Sequence, residues 1–368
     1  MGITRNPLRK NAHKKWSKRV EGLVEARTVF EVEAVTKSVY CSTAVRQNLP
    51  TMLNGSGSKL DTWNIRESHL ENIFFAIFYI TLLILAVPAN ALALWVFSCE
   101  KKTTSSKVFL TNLAIADLCY VLILPLRAAY HFMDGDWPFG EIPCRLLGYF
   151  FYLNMYCSIY FMACISLDRF LALVLPIKSL SLRQKPVISH IVSGVLWICL
   201  VFTTMPLLMS RQTAAVENST RTMCFQLYRE KPSKKALPSI AVAFAVPSVI
   251  MVTSYALILH KLYSLRQSET RFKIKKSIRM ITLTLLIFIV AFVPYHVNRF
   301  IYIAMFANQN ISSNEIASLW LTNRITSSLT CVSGVLDPVL YFFLTTNYRK
   351  HVLRLFCQIQ DRDLQSTT

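Results

Sequence analysis

The sequence predicts an all-α protein: a seven-helix bundle that crosses a membrane, followed by a short amphipathic eighth helix. Three observations predict it. Hydrophobic residues fill 53% of the 368 positions and charged residues only 16%, against about 25% charged in a soluble domain. Apolar runs long enough to cross a hydrocarbon core of about 30 Å recur seven times. No stretch alternates apolar and polar residues between turn signals, and an open sheet cannot satisfy its backbone in lipid, so the spans are read as helices.

The elements follow in order. Residues 1–71 read as a disordered tail. Arg5, Arg9, Lys10, Lys14, Lys15, Lys18 and Arg19 crowd its first nineteen positions with no acid among them, and no apolar signal-peptide core is visible. Met52 opens Met-Leu-Asn-Gly-Ser, and initiation there would remove a basic arm that is awkward to translocate. Residues 72–346 form the membrane domain, with spans at 72–97, 107–132, 144–174, 187–209, 236–263, 276–306 and 315–344. Pro88, Pro125, Pro206, Pro247, Pro294 and Pro338 fall in six of them. Each would cost about 3 kcal/mol in a soluble helix, but a membrane bundle tolerates them, and fixed kinks let one half of a bundle swing. Residues 347–368 are a tail whose start, Asn347 to Gln358, is amphipathic; Cys357 there is either a palmitoylation site or a plain thiol.

The formal charge of +20 is explained by the flanking loops, so nucleic acid is not an expected partner. Lys101, Lys102 and Lys107 follow the first span, Lys261 to Arg279 carry seven basic residues against Glu269, and Arg349, Lys350 and Arg354 follow the last. Short basic loops face the cytoplasm, which places the N-terminus outside at the plasma membrane. The link between spans four and five is basic as well and is still placed outside. The sequons at Asn54, Asn218 and Asn310 all fall on that outer side. Of ten Cys, most lie inside spans; Cys144 and Cys224 lie at the oxidising outer face, where a bridge would tie the third helix to the loop above the bundle.

Three groups of polar residues carry the functional reading. Arg169, in Cys164-Ile-Ser-Leu-Asp168-Arg169-Phe170, sits at the inner end of the helix that begins at Cys144, roughly 37 Å away by helical rise. A charge there is a functional candidate by default, though an Arg snorkelling from a helix end has the same sequence signature. Asn90, Asp117, Asn154, Ser158, Ser333 and Asp337 converge near mid-membrane, either as a cation site, sodium being the candidate, or as a hydrogen-bonded packing network. Arg127, His131, Arg145, His296, Arg299 and Arg324 gather toward the outer face with Tyr130, Tyr149, Tyr152, Tyr156 and Tyr302. Arg residues among aromatics suit an anionic ligand. The competing reading pairs some of them with Glu141, Glu230 or Glu315 or has them snorkel, and for His131 and Arg145 it is the preferred one.

These residues stand in motifs that resemble those of the rhodopsin-like G-protein-coupled receptors over about residues 72–358. Asp168-Arg169-Phe170 is similar to the Asp-Arg-Tyr motif, and Asp337-Pro338-Val-Leu-Tyr341 to the Asn/Asp-Pro-x-x-Tyr motif. Phe292-Val-Pro294 stands where Trp-x-Pro is common, and Trp197 and the Cys144/Cys224 pair also match. Ala89 replaces the usual Gly before Asn90. Pro294-Tyr-His296-Val-Asn-Arg299, Phe150 to Tyr156, Asp136-Trp-Pro-Phe-Gly140, Leu227-Tyr-Arg-Glu-Lys231 and Asn323-Arg-Ile-Thr-Ser327 resemble the nucleotide and cysteinyl-leukotriene receptor group. Two departures stand out: Gly148 where nucleotide receptors often have Arg, and a six–seven link without Cys. The latter implies a single outer bridge, with Cys41 unpaired or absent from the mature chain.

The resemblance implies a receptor for a nucleotide or an acidic lipid such as a cysteinyl leukotriene, coupled to a heterotrimeric G protein, of the inhibitory class. Arg299, His296, Arg324, Arg127, Tyr130, Tyr152, Tyr156 and Tyr302 would meet the ligand. Asp168, Arg169, Tyr255, Phe292, Pro294, Asp337, Pro338 and Tyr341 would form the switch, with Arg169 held by Asp168 at rest and turned toward Tyr255 and Tyr341 on activation. The alternatives are a receptor active without ligand and, in a different class, a transporter or channel. The latter usually shows internal repeats and Gly at broken helices, whereas here no repeat is visible and Gly numbers nine. No nucleophile–base pair or metal motif suggests an enzyme. N-terminal peptide mapping of native protein is expected to begin at Met52; peptides upstream of it would refute internal initiation.

Overall fold

The computed structural model describes residues 68–354, apart from 102, 178, 180–185, 216–219, 230–232, 265–267, 307–311 and 346–347. Asn54, Asn218, Asn310, Cys41, Met52, Glu230 and Cys357 therefore lie outside the described residues. Seven helices are long and apolar enough to cross a membrane. They are α1 (His69–Cys99), α2 (Ser105–Phe132), α3 (Glu141–Val174), α4 (Pro186–Met209), α5 (Leu237–Ser264), α6 (Ser268–Ala291 and Val293–Phe306) and α7 (Ser313–Cys331 and Ser333–Leu344). Residues 348–354 form a short helix, α8. Helix α1 starts at His69, inside the stretch read as tail, and α6 extends to Ser268, a turn or more before the expected 276.

Proline explains most of the helix breaks. A proline has no N–H to donate and its ring collides with the carbonyl four residues back. α2 breaks at Leu122–Ile123 just before Pro125, α4 at Met205 before Pro206, and α6 at Phe292 before Pro294. Pro88 and Pro247 sit within unbroken helix. In α7 the break is at Val332, ahead of Pro338. Pro338 leaves the Gly334 carbonyl without its helical donor, and the Asn90 amide of α1 supplies one at 2.8 Å. The Trp197 indole donates to Asn112 Oδ1 at 2.9 Å, joining α4 to α2.

The expected helical bundle carries one added feature: β1 (Thr213–Ala215) pairs antiparallel with β2 (Thr222–Cys224) in the link between α4 and α5, with Thr213 opposite Cys224. Strands of three residues are too short to show a period-2 pattern, so the sequence carries no local signal for them. Their anchors are tertiary. Cys144 is bonded to Cys224, fixing β2 to the start of α3. The Glu141 carboxylate accepts from the backbone N–H of Gln212 at 2.6 Å and of Thr213 at 3.0 Å, and from the Thr213 hydroxyl. Asp136 Oδ1 accepts from the Thr222 N–H at 2.9 Å, and Trp137 N–H donates to the Thr222 carbonyl at 3.0 Å.

The hairpin is thus held at both strands by carboxylates and covalently by one bond. Cys224→Ala should lower the thermal melting point of purified receptor and reduce its surface density, because loss of a native disulfide commonly costs about 2–5 kcal/mol. Glu141→Gln should produce a smaller shift, about 1–3 kcal/mol, since the amide keeps only part of the acceptor set. Equal melting of wild type and Cys224→Ala would show that the bridge does not hold the cap.

Candidate functional site

Three polar clusters occupy three heights of the bundle. The outer one is built around Tyr228, a residue of the α4–α5 link rather than of a helix. Its backbone is left-handed, with φ 70°, a conformation that costs a non-glycine residue about 1–3 kcal/mol. Tertiary bonds hold it there. The Asn323 amide donates to the Tyr228 carbonyl at 2.8 Å. Its phenol shares a hydrogen bond with Tyr79 at 2.7 Å and another with His131 Nε2 at 3.1 Å. Tyr79 continues to Ser328 at 2.7 Å, and His131 Nδ1 to Asn72 Oδ1 at 3.0 Å. Burial pushes the Tyr228 phenol well above its ordinary range, so it stays neutral.

Arg127 and Arg324 flank that ring. Arg127 is 1% exposed, and its guanidinium lies 4.8 Å from the Phe151 ring centre, 5.6 Å from Tyr228 and 5.8 Å from Tyr79. Its Nε and Nη1 have no hydrogen-bond partner, and no carboxylate pairs with it among the described residues. Arg324 stacks on Phe75 at 5.4 Å and on Tyr228 at 5.8 Å and reaches Glu71 at 3.5 Å. Glu71, from α1, is an acid the sequence reading did not consider for it.

The remaining outer candidates gather on α3, α5, α6 and α7. His296 stacks on Phe244 at 4.1 Å, meets Tyr156 edge-on at 5.9 Å and donates through Nδ1 to the Phe292 carbonyl at 2.9 Å; Nε2 is buried without a partner. Tyr152 accepts from Tyr295 at 3.0 Å. Arg299 is buried, with its guanidinium 5.2 Å from the Tyr302 ring centre. Tyr302 is fully buried among Ile303, Ile316, Leu319 and Trp320, so it packs α6 against α7 and supports Arg299. Tyr130 is buried beside His131 and Tyr228. Phe151 joins the two groups: one contact is Arg127, another is Tyr295 edge-on at 5.5 Å. Arg145 pairs with Glu141 at 2.7 Å, one of the acids considered for it, and His131 is spent on Asn72 and Tyr228. At Gly148 an added Cβ would lie 2.2 Å from Gln226 Oε1, so the loop fills the space of any side chain there.

Sequence reading did not single out Tyr228, Tyr79, Phe151, Asn72 or Glu71. Tyr228 had two usable signals: its place in Leu227-Tyr-Arg-Glu-Lys231 and its position four residues beyond a Cys expected at the outer face. Tyr79, Phe151 and Asn72 look like ordinary span residues, and Glu71 like a tail residue, until the fold brings them together.

The middle cluster contains Asp117, Asn154, Ser158, Ser333 and Asp337, all buried. Asn154 donates to Asp117 Oδ1 at 3.0 Å, and the Asp117 and Asp337 carboxyls interact with each other. Asp117 Oδ2, both Asp337 oxygens and Ser158 Oγ are buried without a conventional donor. Ser333 is occupied with the Thr330 carbonyl at 2.8 Å. Two carboxylates side by side in a dry interior require a proton or a cation between them, and this all-oxygen set fits a hard cation. Below it, Tyr341 donates to Asn90 Oδ1 at 3.4 Å and packs edge-on against Phe97.

The inner cluster centres on Arg169, which pairs with Asp168 at 2.6 Å. Ser106 donates to Asp168 Oδ2 at 2.6 Å and also contacts Arg169. Tyr255 accepts from Thr282 at 3.2 Å. Ser106 of α2 thus holds the Arg169–Asp168 pair of α3, a partner that the sequence did not suggest.

Residues 89–341 match the family model of the 7 transmembrane receptor (rhodopsin family). The chain belongs to this family. It is 47% identical to the uracil nucleotide/cysteinyl leukotriene receptor of Rattus norvegicus over 310 residues, 84% of this chain and 90% of that one. The Homo sapiens receptor of the same description is 49% identical over 293 residues, 79% of each chain. Cysteinyl leukotriene receptor 1 of Homo sapiens is 31% identical over 288 residues, 77% of this chain and 85% of that one. The family is one of multi-pass plasma-membrane receptors that signal through G proteins, not of enzymes, and the transporter or channel reading is set aside.

Ser106→Ala should raise basal guanine-nucleotide exchange severalfold at equal surface density, since a hydrogen bond to a charged group contributes about 1.5–3 kcal/mol. Arg169→Ala should abolish exchange while changing ligand affinity less than about tenfold, because only state coupling links the two ends. Unchanged basal exchange in Ser106→Ala would mean that the clasp does not restrain Arg169.

Proposed function

We propose that this receptor recognises an anionic ligand of the nucleotide or cysteinyl-leukotriene kind at its outer cluster and activates a heterotrimeric G protein of the inhibitory class. The observation that carries the reading is Arg127. A guanidinium buried among three rings, with two nitrogens unpartnered, is expensive unless a charge arrives to meet it. Arg324 and Arg299 extend the positive field, and the names of the similar receptors supply the two ligand classes. The basic loops support an N-terminus on the outer side, and the Asp117–Asp337 pair would hold sodium at rest. Ligand contact above Pro294 would favour an outward swing of α6 about its break at Phe292, releasing Arg169 from Asp168 and Ser106 toward Tyr255 and Tyr341.

A second reading, activity without a ligand, is favoured by Tyr228, because the cap itself already places a side chain on both Arg127 and Arg324. Basal exchange of Tyr228→Ala separates the two: a fall supports the cap as its own agonist, and a rise or no change supports an external ligand.

With uridine nucleotides and cysteinyl leukotrienes as probes, Arg127→Met should weaken every active anionic agonist about ten- to a hundredfold, the range of one charge-assisted bond in a dry site. Arg299→Ala should weaken binding more than Arg299→Lys, with Lys still short of wild type because it lacks the planar fork. Radioligand competition in membranes reads both. If neither Arg127→Met nor Arg299→Ala moves the affinity of any anionic agonist, the anion pocket is wrong.

A further inference from the structure

The link between α1 and α2 presents a hydroxyl in a basic setting. It reads Glu100-Lys101-Lys102-Thr103-Thr104 and lies at the end of the bundle that carries Arg169. Thr104 is exposed, whereas Ser105 and Ser106, next along, are each only 7% exposed. The Thr104 backbone is extended, with φ −122° and ψ 156°, the form in which a segment lies across a partner's cleft. Lys101 and Lys102 stand three and two positions ahead of it. For Thr103 the same two places hold Glu100 and Lys101, an acid in place of one base. Kinases choose substrates by charge pattern, and paired bases ahead of the acceptor suit a kinase with an acidic cleft.

Thr104 is also joined to the inner cluster. Its hydroxyl oxygen caps α2 by accepting from the Lys107 N–H at 3.3 Å. Two residues on, Ser106 donates to Asp168 Oδ2 at 2.6 Å and also contacts Arg169. Arg169 Nε has no hydrogen-bond partner among the described residues. Opposite an arginine, a phosphate adds charge-assisted hydrogen bonds, and the start of a helix favours its charge. We propose that Thr104 is phosphorylated by a protein kinase that takes basic substrates, and that the phosphate holds Arg169 against α2 and lowers basal activity. In the transfer, the Thr104 oxygen forms a bond to the terminal phosphorus of a nucleoside triphosphate. The bond from that phosphorus to its bridging oxygen breaks, the nucleoside diphosphate leaves with the electron pair, and the hydroxyl proton passes to the kinase's base. The proposal rests on the reading that this end faces the cytoplasm, where the triphosphate and the kinase are found. It does not depend on any ligand at the outer cluster.

The test treats full-length receptor in nanodiscs with the catalytic subunit of cyclic-AMP-dependent kinase and ATP. Peptide mass spectrometry and guanine-nucleotide exchange on an added G protein are the readouts. Phosphate should appear on Thr104, and basal exchange should fall severalfold. Thr104→Asn keeps a capping oxygen, so its basal exchange should equal that of untreated wild type and should not respond to the kinase. Thr104→Ser should restore both effects. Replacing Lys101 and Lys102 together by Ala should cut phosphorylation about tenfold, the size expected from losing charge-assisted contacts to the kinase. If Thr104→Asn fails to fold, Thr104→Ser and the double lysine variant still decide. Phosphate on Thr103 in place of Thr104, or unchanged exchange by receptor phosphorylated at Thr104, would overturn the proposal. A nanodisc leaves both faces open, so these results do not depend on which way the chain crosses the membrane. Mapping the same peptide from intact cells reads the placement separately: phosphate on Thr104 there supports the inward face, and its absence after kinase stimulation overturns the proposal through that placement alone.

Discussion

In hydrocarbon a polar group has no water to turn to, and the structure is organised by how each buried one is answered from another helix. Asn90 on the Gly334 carbonyl is the clearest instance: Pro338 vacates a hydrogen bond in α7 and an amide from α1 takes it. The same pattern repeats in Trp197 to Asn112 and in Asn154 to Asp117. These bonds fix which helices are neighbours where apolar packing against lipid-like side chains would not, because lipid tails are as apolar as leucine.

Among the described residues, buried side-chain atoms without a partner occur at all three heights. In the middle, four oxygens of Asp117, Asp337 and Ser158 lack donors; in the outer half, two nitrogens of Arg127 lack acceptors. At the third height Arg169 is paired with Asp168, which also accepts from Ser106, while its Nε is left without a partner.

The cap above the bundle couples local strain to the site. Tyr228 adopts a left-handed backbone that its side chain disfavours, and five hydrogen-bonding neighbours, Tyr79, His131, Asn323 and, through them, Ser328 and Asn72, keep it there. Cys144–Cys224, Glu141 and Asp136 position the hairpin from which it descends. Gly148 completes the fit, since the first side-chain carbon at that turn would strike Gln226. The departure at 148 noted in the sequence thus has a structural partner in the loop.

Much of this was legible from residues alone. Seven spans follow from hydropathy and length, the Arg169–Asp168 pair from a charge at a helix end, and the Asp117–Asp337 cluster from helical rise. Proline positions foretold three of the four helix breaks, because the missing N–H and the ring clash are properties of the residue itself. The hairpin, Tyr228, Ser106 and the ring box of Arg127 were not legible. Strands of three residues have no readable period, and a loop side chain's destination depends on bonds to helices far off in sequence. An aromatic residue inside an apolar span looks the same whether it faces lipid or a guanidinium. The sequence by itself determined which segments cross the membrane and which charges are out of place there, since both are single-residue transfer costs. Only the tertiary structure decided what each charge faces, because burial and partnership belong to pairs of residues brought together by packing.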